Sequence, residues 1–384
     1  MSRSRALSHK VAIVGASETD NIGVLPDRSV LQLHAEAAFN ALDDAGLTLD
    51  DIDGVATAGV APTQLTEYLG IMPRWVDGTS IGGGVFLMHV AHAAAAIAAG
   101  YCNTVLITHG ESGRSHVGVG GYAAAPQSPD GQFEAPYGIA GPPTMFSLPI
   151  ARHMAKYGTT EEHLAAVSVA TRKWAETNPR AMMRDPITVD DVLNSRMIAW
   201  PLHLLNCCLV TDGGGALILV SEERANDFPK KPVWVLGRGE ATQHQGISQM
   251  WDFTEWTAAA KITGPDAFAM ADLDHSAIQH CMFYDAFSHT PIYALEALGF
   301  VGPGEGGPWF AEMNSAPGGP LPINTNGGGL SYTHTGMYGM FAIQESVRQL
   351  RGEAANQLDD LEVSLVHAPA NMFSGTATLI LGNQ

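Results

Sequence analysis

The sequence predicts an α/β fold made of two similar halves, each with a sheet of parallel strands covered by helices. The first observation is a repeated order of elements. A small polar residue, three glycines, an apolar helix and a strand follow one another over residues 79–108 and again over residues 326–366. The second observation is an acidic lead-in before each repeat, at residues 49–53 and 273–278. An internal duplication accounts for both features.

The chain of 384 residues is too long for one ordinary small core. We predict an N-terminal half over residues 1–229 and a C-terminal half over residues 230–384. A long insertion at residues 110–205 interrupts the first half, and it shows helical patterns at residues 149–157 and 160–176. Insertions of this length in compact folds usually serve a function, such as a lid or a binding cap.

Hydrophobic periodicity places the elements of the first half. Residues 31–45 carry apolar side chains on one helical face, and Gly46 ends that helix. Apolar runs bounded by turn residues predict strands. The other predicted elements are a strand at 11–14, a turn into a strand at 51–57, a buried helix at 85–99, a strand at 104–108 and a glycine-rich approach to a strand at 212–220.

The second half shows the same alternation of strands and helices. Its predicted elements are strands at 233–237, 278–283 and 361–366, helices at 290–298 and 337–350, and a Gly/Pro-rich loop at 302–320. The short apolar run Leu321–Ile323 leads into a glycine-rich turn at residues 324–339. This turn is the chemically richest stretch of the chain.

The charge balance excludes some classes of partner. The net charge is −19 and the pI is near 5.0, which argues against nonspecific nucleic-acid binding and against docking on an anionic membrane. The longest apolar stretch, residues 85–99, is too short to span a bilayer. An anionic small ligand needs only a local basic patch, and the candidates are Arg172, Lys173, Arg180 and Arg184.

The cysteines indicate a reducing compartment. Cys102, Cys207, Cys208 and Cys281 form no C-x-x-C pair, and no cysteine/histidine set has zinc spacing. The basic, polar start of the chain lacks the apolar segment of a signal peptide. We therefore expect a cytoplasmic protein without disulfides and without a metal site.

Candidate site residues lie in the turn at 324–339 and at the end of a strand. Gly328 and Gly329 would let the backbone approach a ligand, and a helix N-terminus suits a developing negative charge. His334 and Tyr332 can move a proton or hold an oxyanion, and both would share one face of an extended segment. Tyr284 ends a predicted strand, where α/β sheets tend to bind ligands. The alternative is a structural turn in which these side chains only pack.

Taken together, the duplicated halves, the helical insertion, the Asp-Gly-Gly-Gly-Ala strand approach, the turn at 324–339 and the sequence Tyr284–Ser288 resemble the thiolase superfamily, in its lipid-transfer-protein (sterol-carrier) branch. The resemblance implies a five-layered αβαβα fold, a homodimer and a CoA thioester substrate bound under the insertion. It implies no permanently bound cofactor. Typical members make or break a carbon–carbon bond next to the thioester.

The chain departs from that family at the acylated cysteine. Ser80 stands in its place before the first glycine-rich helix, and residues 367–371 after the penultimate strand contain no thiol. The family histidine is present as His334, and Tyr284 replaces the family's Asn or His. A serine is far harder to ionise than a thiol, so an acyl-enzyme is disfavoured. Ser80 is expected to keep a fold position or to donate to a ligand.

These features favour a retro-aldol reaction. A base takes the β-hydroxyl proton of a β-hydroxyacyl-CoA, the Cα–Cβ bond breaks, and the thioester enolate is held and protonated. The chain resembles the bacterial steroid side-chain aldolases, which lack the thiol pair and use tyrosines near these turns. That resemblance implies a bulky, steroid-like acyl group and a small OB-fold, zinc-ribbon partner protein. Tyr284 or Tyr332 would handle the proton, and His334 would hold the enolate.

Two alternatives stay open from the sequence. One is thiolase-type acyl transfer through an unusual nucleophile, for which Ser80 is the candidate. The other is a non-catalytic carrier of lipid or acyl-CoA, or a scaffold subunit for an active partner. A stable acyl adduct on Ser80 would favour the first, and full activity after loss of Tyr284, Tyr332 and His334 would favour the second.

Overall fold

The computed structural model describes residues 7–117, 125–243, 246–250, 252–253, 258–370, 372 and 375–384. The strands are β1 Val11–Glu18, β2 Gly54–Thr57, β3 Trp75–Asp77, β4 Thr104–Ser112, β5 Met197–Ala199, β6 Leu202–His203, β7 Asp212–Ser221, β8 Val233–Thr242, β9 His280–Phe283, β10 Val363–Ala370 and β11 Gly375–Gly382. The α-helices are α1 Val30–Ala45, α2 Pro62–Leu69, α3 Val85–Ala98, α4 Pro129–Phe133, α5 Pro142–Tyr157, α6 Glu161–Ala175, α7 Val189–Asn194, α8 Ala260–Ala271, α9 His289–Ala297, α10 Gly306–Ala311 and α11 Gly339–Arg351.

Nine of the described strands are connected in the order β3-β2-β4-β7-β1-β8-β11-β10-β9. The strands up to β7 come from the predicted first half, and those from β8 onward come from the second. Within the described residues, the two groups of strands pair with each other through a short contact between β1 and β8, at the pairs Ala12–Trp234 and Ile13–Val233. This arrangement supports the division at residues 229 and 230, which stays a prediction.

The prediction that the sheets are parallel throughout is wrong. The strands that flank the two strand–helix–strand repeats are parallel, because β2 pairs with β4 and β9 pairs with β10. However, β7 runs antiparallel to both β4 and β1, and β11 runs antiparallel to both β10 and β8. Since only a few residues separate β10 from β11, the chain must reverse direction there, and an antiparallel pair follows.

Helices α3 and α11 form the central layer between the two sheet halves. Eleven of the 14 residues of α3 are buried, as expected for a helix that is apolar on all sides. One hydrophobic cluster joins these helices to inward-facing strand residues such as Val11, Ile13 and Leu379. Because strand side chains alternate between faces, Val14 points instead into the outer cluster of α1 and α2.

The second outer layer covers the C-terminal half. Helices α8 and α9 share a cluster with Leu365 and Ile380 of the sheet. The insertion helices α5 and α6 join the same cluster through Phe146 and Leu164, so the insertion lies against the second half. The order helix, sheet, helix, sheet, helix confirms the predicted five-layered αβαβα fold with a helical insertion.

Several element boundaries differ from the sequence prediction. Helix α5 begins at Pro142 instead of residue 149, because proline suits the first turn of a helix, and Pro149 lies inside it. The predicted loop at 302–320 contains α10. Helix α1 begins after Ser29, whose side chain accepts from Gln32 N in a capping box. Among the described residues, no helix is both long and apolar enough to cross a membrane.

Candidate functional site

The candidate site lies at the carboxyl end of β9. Tyr284 follows the last residue of β9, and its backbone N–H donates to the His367 carbonyl at 3.0 Å, extending the pairing with β10. The preceding amide of Phe283 donates to Oδ1 of Asn324 at 2.8 Å. These contacts fix Tyr284 between the end of β9 and the start of the glycine-rich turn, as the sequence predicted for a strand-end residue.

Tyr284 and His334 form a buried phenol–imidazole pair. The Tyr284 hydroxyl oxygen and Nε2 of His334 are hydrogen-bonded at 2.9 Å, and the hydroxyl also lies 3.3 Å from the Gly336 carbonyl oxygen. The side chains are 7% and 9% exposed. The backbone of His334 is held on both sides by Thr211, because His334 N donates to Oγ1 at 3.0 Å and its carbonyl accepts from Thr211 N at 3.1 Å. The structure thus brings together two of the three predicted catalytic residues.

The phenol lies against the N-terminus of the central helix α3. A Cβ atom at Gly83 would be 2.2 Å from Cε2 of Tyr284 and 2.5 Å from its hydroxyl oxygen. Only glycine therefore allows the ring to lie here. The Val85 and Leu87 amides are already bonded to the Gly82 and Gly84 carbonyls, at 3.0 and 3.2 Å. The macrodipole at this helix N-terminus still favours negative charge, so this position suits a phenol or ligand oxygen that becomes anionic.

Burial keeps His334 neutral. Desolvation lowers the pKa of the imidazole to about 4, which is well below the ordinary value for histidine. A neutral imidazole can accept a proton at one nitrogen while it carries one on the other. The pair can therefore pass a proton between phenol and imidazole without a resting charge on either group.

Tyr332 does not join this pair. Residues Gly328–Tyr332 form a π-helical turn, so the expectation of an extended segment with Tyr332 and His334 on one face is wrong. The Tyr332 hydroxyl donates to Oε2 of Glu18 at 2.6 Å and lies 3.3 Å from Nε of Arg180. Burial and the Glu18 charge raise the pKa of this phenol well above its usual value. Glu18 and Arg180 line a separate cavity of about 480 Å³ whose walls do not include Tyr284 or His334.

The two predicted glycine amides are already occupied by protein oxygens. Gly328 N donates to Oδ1 of Asn326 at 2.8 Å, and Gly329 N donates to Oδ1 of Asp285 at 2.6 Å. A Cβ at Gly328 would lie 2.0 Å from Oδ2 of Asp285. The sequence predicted that the backbone at Gly328 and Gly329 approaches a ligand oxyanion. In the structure, the Asp285 carboxylate occupies that position.

Ser80 is an exposed residue of the loop between β3 and α3. The loop is anchored by Asp77, which accepts from Thr79 N at 2.8 Å, and by the Thr79 carbonyl, which contacts Nε2 of His89 at 3.0 Å. The loop residue that contacts Tyr284 is Gly83.

None of the four thiols is activated. Burial raises the pKa of Cys102 and of Cys207 to about 12, and it also raises the pKa of Cys208 and Cys281. Cys208 lies near the site, since its N–H donates to the Ala286 carbonyl at 2.9 Å. Because the thiolate is the nucleophilic form, these values disfavour acylation of a cysteine at neutral pH.

Two of the four predicted basic residues are used inside the protein. The Arg172 guanidinium donates to Oγ of Ser331 and to the Asp185 carbonyl, both at 2.8 Å. The Arg180 guanidinium binds Glu18 and the carbonyls of Asp20 and Thr19. A CoA phosphate site built from the whole predicted patch is therefore not supported.

Sequence reasoning missed three residues beside the pair. Gly83 belongs to the three-glycine run and Asp285 follows Tyr284, so both lie in stretches that the sequence analysis had already singled out. Glu111 ends near the site from β4, because a Cβ at Gly336 would lie 2.4 Å from its carboxyl group. No local pattern signals a contact of that kind, since it joins the two halves of the chain.

A small pocket lies behind the phenol. Its volume is about 10 Å³, which is room for roughly one water. Its lining includes the polar side chains of Tyr284, Thr290, Tyr293, His367 and Thr376. Nδ1 of His367 is 2.8 Å from Oγ1 of Thr378, so this imidazole is fixed by the sheet while it faces the pocket.

Comparison with known proteins gives consistent similarities. A family model described as "Thiolase C-terminal domain-like" matches residues 239–383. The chain is 35% identical to a steroid side-chain-cleaving aldolase of Thermomonospora curvata, covering 97% of each chain. It is also 35% identical to the 17-hydroxy-3-oxo-4-pregnene-20-carboxyl-CoA lyase of Mycobacterium tuberculosis, covering 98% of this chain and 100% of that one. Among solved structures, the "Ltp2-ChsH2(DUF35) aldolase" superposes with a TM-score of 0.88 at 33% identity, covering 98% of both chains.

Proposed function

Since the chain belongs to the thiolase superfamily, together with the steroid side-chain-cleaving aldolases, we propose that it catalyses retro-aldol cleavage of a β-hydroxyacyl-CoA with a bulky, steroid-like acyl group. The products would be a carbonyl compound and a shortened acyl-CoA. The name of the relative from Mycobacterium tuberculosis identifies a CoA-ester lyase, which supports a CoA thioester as the substrate.

One observation carries this proposal. A phenol and a neutral imidazole are hydrogen-bonded at the N-terminus of α3, while burial raises the pKa of every thiol in the chain. A proton-transfer pair without an activated nucleophile suits a reaction that needs no acyl-enzyme.

The pair can close a complete proton cycle. Tyr284 accepts the β-hydroxyl proton as it passes its own proton to Nε2 of His334. The β-oxygen electrons then form the carbonyl, the Cα–Cβ bond breaks, and its electrons move onto the thioester as an enolate. Because burial lowers the pKa of this imidazole to about 4, His334 returns its proton to Tyr284, and Tyr284 protonates Cα.

The N-terminus of α3 would stabilise the enolate oxygen. The Gly328 and Gly329 amides are engaged elsewhere, and at the start of α3 the Val85 and Leu87 amides are bonded to the Gly82 and Gly84 carbonyls. The contribution of α3 would therefore be the field of its macrodipole, which is fixed before charge develops. The exposed hydroxyl of Ser80, on the loop that precedes α3, would add a donor to the thioester.

We also propose that the chain works in the cytoplasm as a homodimer together with a small partner protein. The similar solved structure is named as a complex of Ltp2 with ChsH2, a DUF35 protein. The OB fold and zinc ribbon of that partner are expectations from the family resemblance. Such a partner could supply the part of the site that the acyl group needs.

Product analysis tests the proposed reaction. The purified chain, with and without a DUF35-type partner, is incubated with a β-hydroxyacyl-CoA that carries a steroid-like acyl group. Liquid chromatography with mass detection should show equal amounts of a carbonyl product and a shortened acyl-CoA. The Tyr284→Phe, His334→Ala double variant should make neither product. Absence of both products with wild-type protein and partner, or full activity of the double variant, would reject the proposal.

A further inference from the structure

We propose that Asp285 is a positioning residue, which holds His334 against Tyr284 by binding the backbone of the π-helical turn. Asp285 is completely buried. Its Oδ1 accepts from Gly329 N at 2.6 Å, and its Oδ2 lies 3.4 Å from Leu330 N. Consecutive backbone N–H groups that converge on one carboxylate form an anion-binding nest, and here the anion is part of the protein.

The turn that Asp285 binds carries His334. The position of a Cβ on Gly329 would lie 3.1 Å from Oδ1 of Asp285 and 3.3 Å from Cδ2 of His334. The imidazole therefore packs against the same peptide that the carboxylate holds. If that peptide moved, the imidazole would lose its support on this side.

Asp285 also follows Tyr284 directly in the chain. A single peptide unit thus connects Tyr284 to Asp285, whose carboxylate binds the turn that precedes His334. Catalytic groups need to be placed to within about 0.5 Å, and a displacement of about 1 Å can cost about 100-fold in rate. A carboxylate that ties both partners of the pair to one short segment provides this precision.

The charge state of Asp285 adds a pH dependence. Burial raises the pKa of this carboxyl to about 7, although the Gly329 amide opposes the shift. Protonation removes an acceptor from the nest, so the turn should be held best above neutral pH. Among the described residues, the titratable side chains shown beside this carboxyl are Cys208, Tyr338 and His334.

Two readouts test the inference, and only the kinetic one rests on the proposed function. The first is amide hydrogen exchange of the peptide that contains residues 328–334. In Asp285→Ala, exchange of the Gly329 and Leu330 amides should accelerate at least about tenfold, because both lose a buried acceptor. Asp285→Asn keeps one oxygen for Gly329 and should show a smaller increase.

The second readout is the kinetics of the lyase reaction. Asp285→Ala should lower kcat about 10- to 100-fold with KM within about threefold, since the pair is misplaced while the substrate surface is kept. The wild-type kcat should increase as the pH rises through about 7, and the kcat of Asp285→Asn should not show this increase. The same increase in Asp285→Asn would contradict the assignment.

Asp53→Ala is the matched control. Asp53 also accepts two backbone N–H groups, from Asn103 and Thr104 at 2.8 Å each, but it precedes β2, at the end of the strand away from the site. This variant should leave exchange of the turn and kcat unchanged.

The possible outcomes separate this inference from the proposed function. If Asp285→Ala shows faster exchange confined to residues 328–334 while the wild-type protein makes no product, the positioning role stands and the lyase function is rejected. Product formation with unchanged exchange and kcat in both Asp285 variants would overturn the positioning role. Exchange that accelerates across the whole fold would also overturn it, because Asp285 would then act on global stability. If Asp285→Ala does not fold, the exchange and kcat measured for the near-isosteric Asp285→Asn decide whether the positioning role holds.

Discussion

Gly83→Ala is the sharpest test of the site geometry. The added Cβ would lie 2.2 Å from a ring carbon of Tyr284, whereas ordinary contact begins near 3.4 Å. The ring must therefore retreat by about 1.2 Å, because Gly83 is buried in the turn directly before α3 and its backbone has little freedom to move. Such a retreat carries the phenol oxygen away from its 2.9 Å contact with His334.

We expect kcat of Gly83→Ala to fall about 100-fold with KM within about threefold, since a misplacement of about 1 Å has this effect. Overpacking should cost about 1–3 kcal/mol of unfolding free energy, so the variant should still fold. Steady-state production of the shortened acyl-CoA gives both constants, and thermal denaturation checks the fold.

Gly302→Ala is the control for Gly83→Ala. A Cβ at Gly302 meets only the carboxylate end of Glu305, at 2.9 Å, which can swing away. This control should keep wild-type kinetics. If Gly83→Ala retained wild-type kcat, the phenol at the start of α3 would have no part in the reaction.

Three further predictions follow from the same contacts. Tyr332→Phe should lower the unfolding free energy by about 1–3 kcal/mol, because buried Glu18 loses a hydrogen-bond donor at 2.6 Å. Its kcat should stay within about threefold of the wild-type value. A large loss of kcat in a stable variant would show that Tyr332 is catalytic. His334→Gln should reduce the loss of stability between pH 6.5 and 4 by about 3 kcal/mol. The folded-state pKa of His334 is depressed to about 4, so the unfolded chain binds this proton first, and wild-type protein loses that amount through His334 as pH drops through the window. Chemical denaturation at several pH values would show the same pH dependence in variant and wild type if this is wrong. A Cys207→Ser, Cys208→Ser double variant should keep at least about a third of wild-type kcat, because both thiols have raised pKa values; loss of activity with an intact fold would restore a thiol mechanism.

The layered fold could be predicted because its signals are local and occur twice. The glycine run before an apolar helix appears in both halves, and the continuous burial of α3 follows from a helix that is apolar on all sides. The direction of β7 could not be predicted in this way. Its pairing with β1, which lies far away in the chain, depends on the return path of the backbone, and the spacing of apolar residues does not encode that path.

The site was predictable in part. The sequence analysis selected Tyr284 because it ends a predicted strand and His334 because it lies in a glycine-rich turn. Both features can be recognised within a short stretch of sequence. The orientation of Tyr332 was predicted wrongly, because a spacing of two residues implies one face only in extended backbone, and the turn is π-helical up to that residue. The amide of Gly329 was assigned to a ligand because a glycine run shows that something approaches closely, but it does not show that Asp285 is what approaches.

The most direct test of a reaction without an acyl-enzyme is the intact mass of the protein during turnover. The enzyme and its partner are mixed with the β-hydroxyacyl-CoA, quenched in acid within milliseconds to seconds, and measured by mass spectrometry alongside the products. We predict unmodified protein at every time point while the carbonyl product and the shortened acyl-CoA accumulate together. A protein mass raised by an acyl group that forms and decays at the rate of turnover, on Ser80 or on any cysteine, would contradict the account.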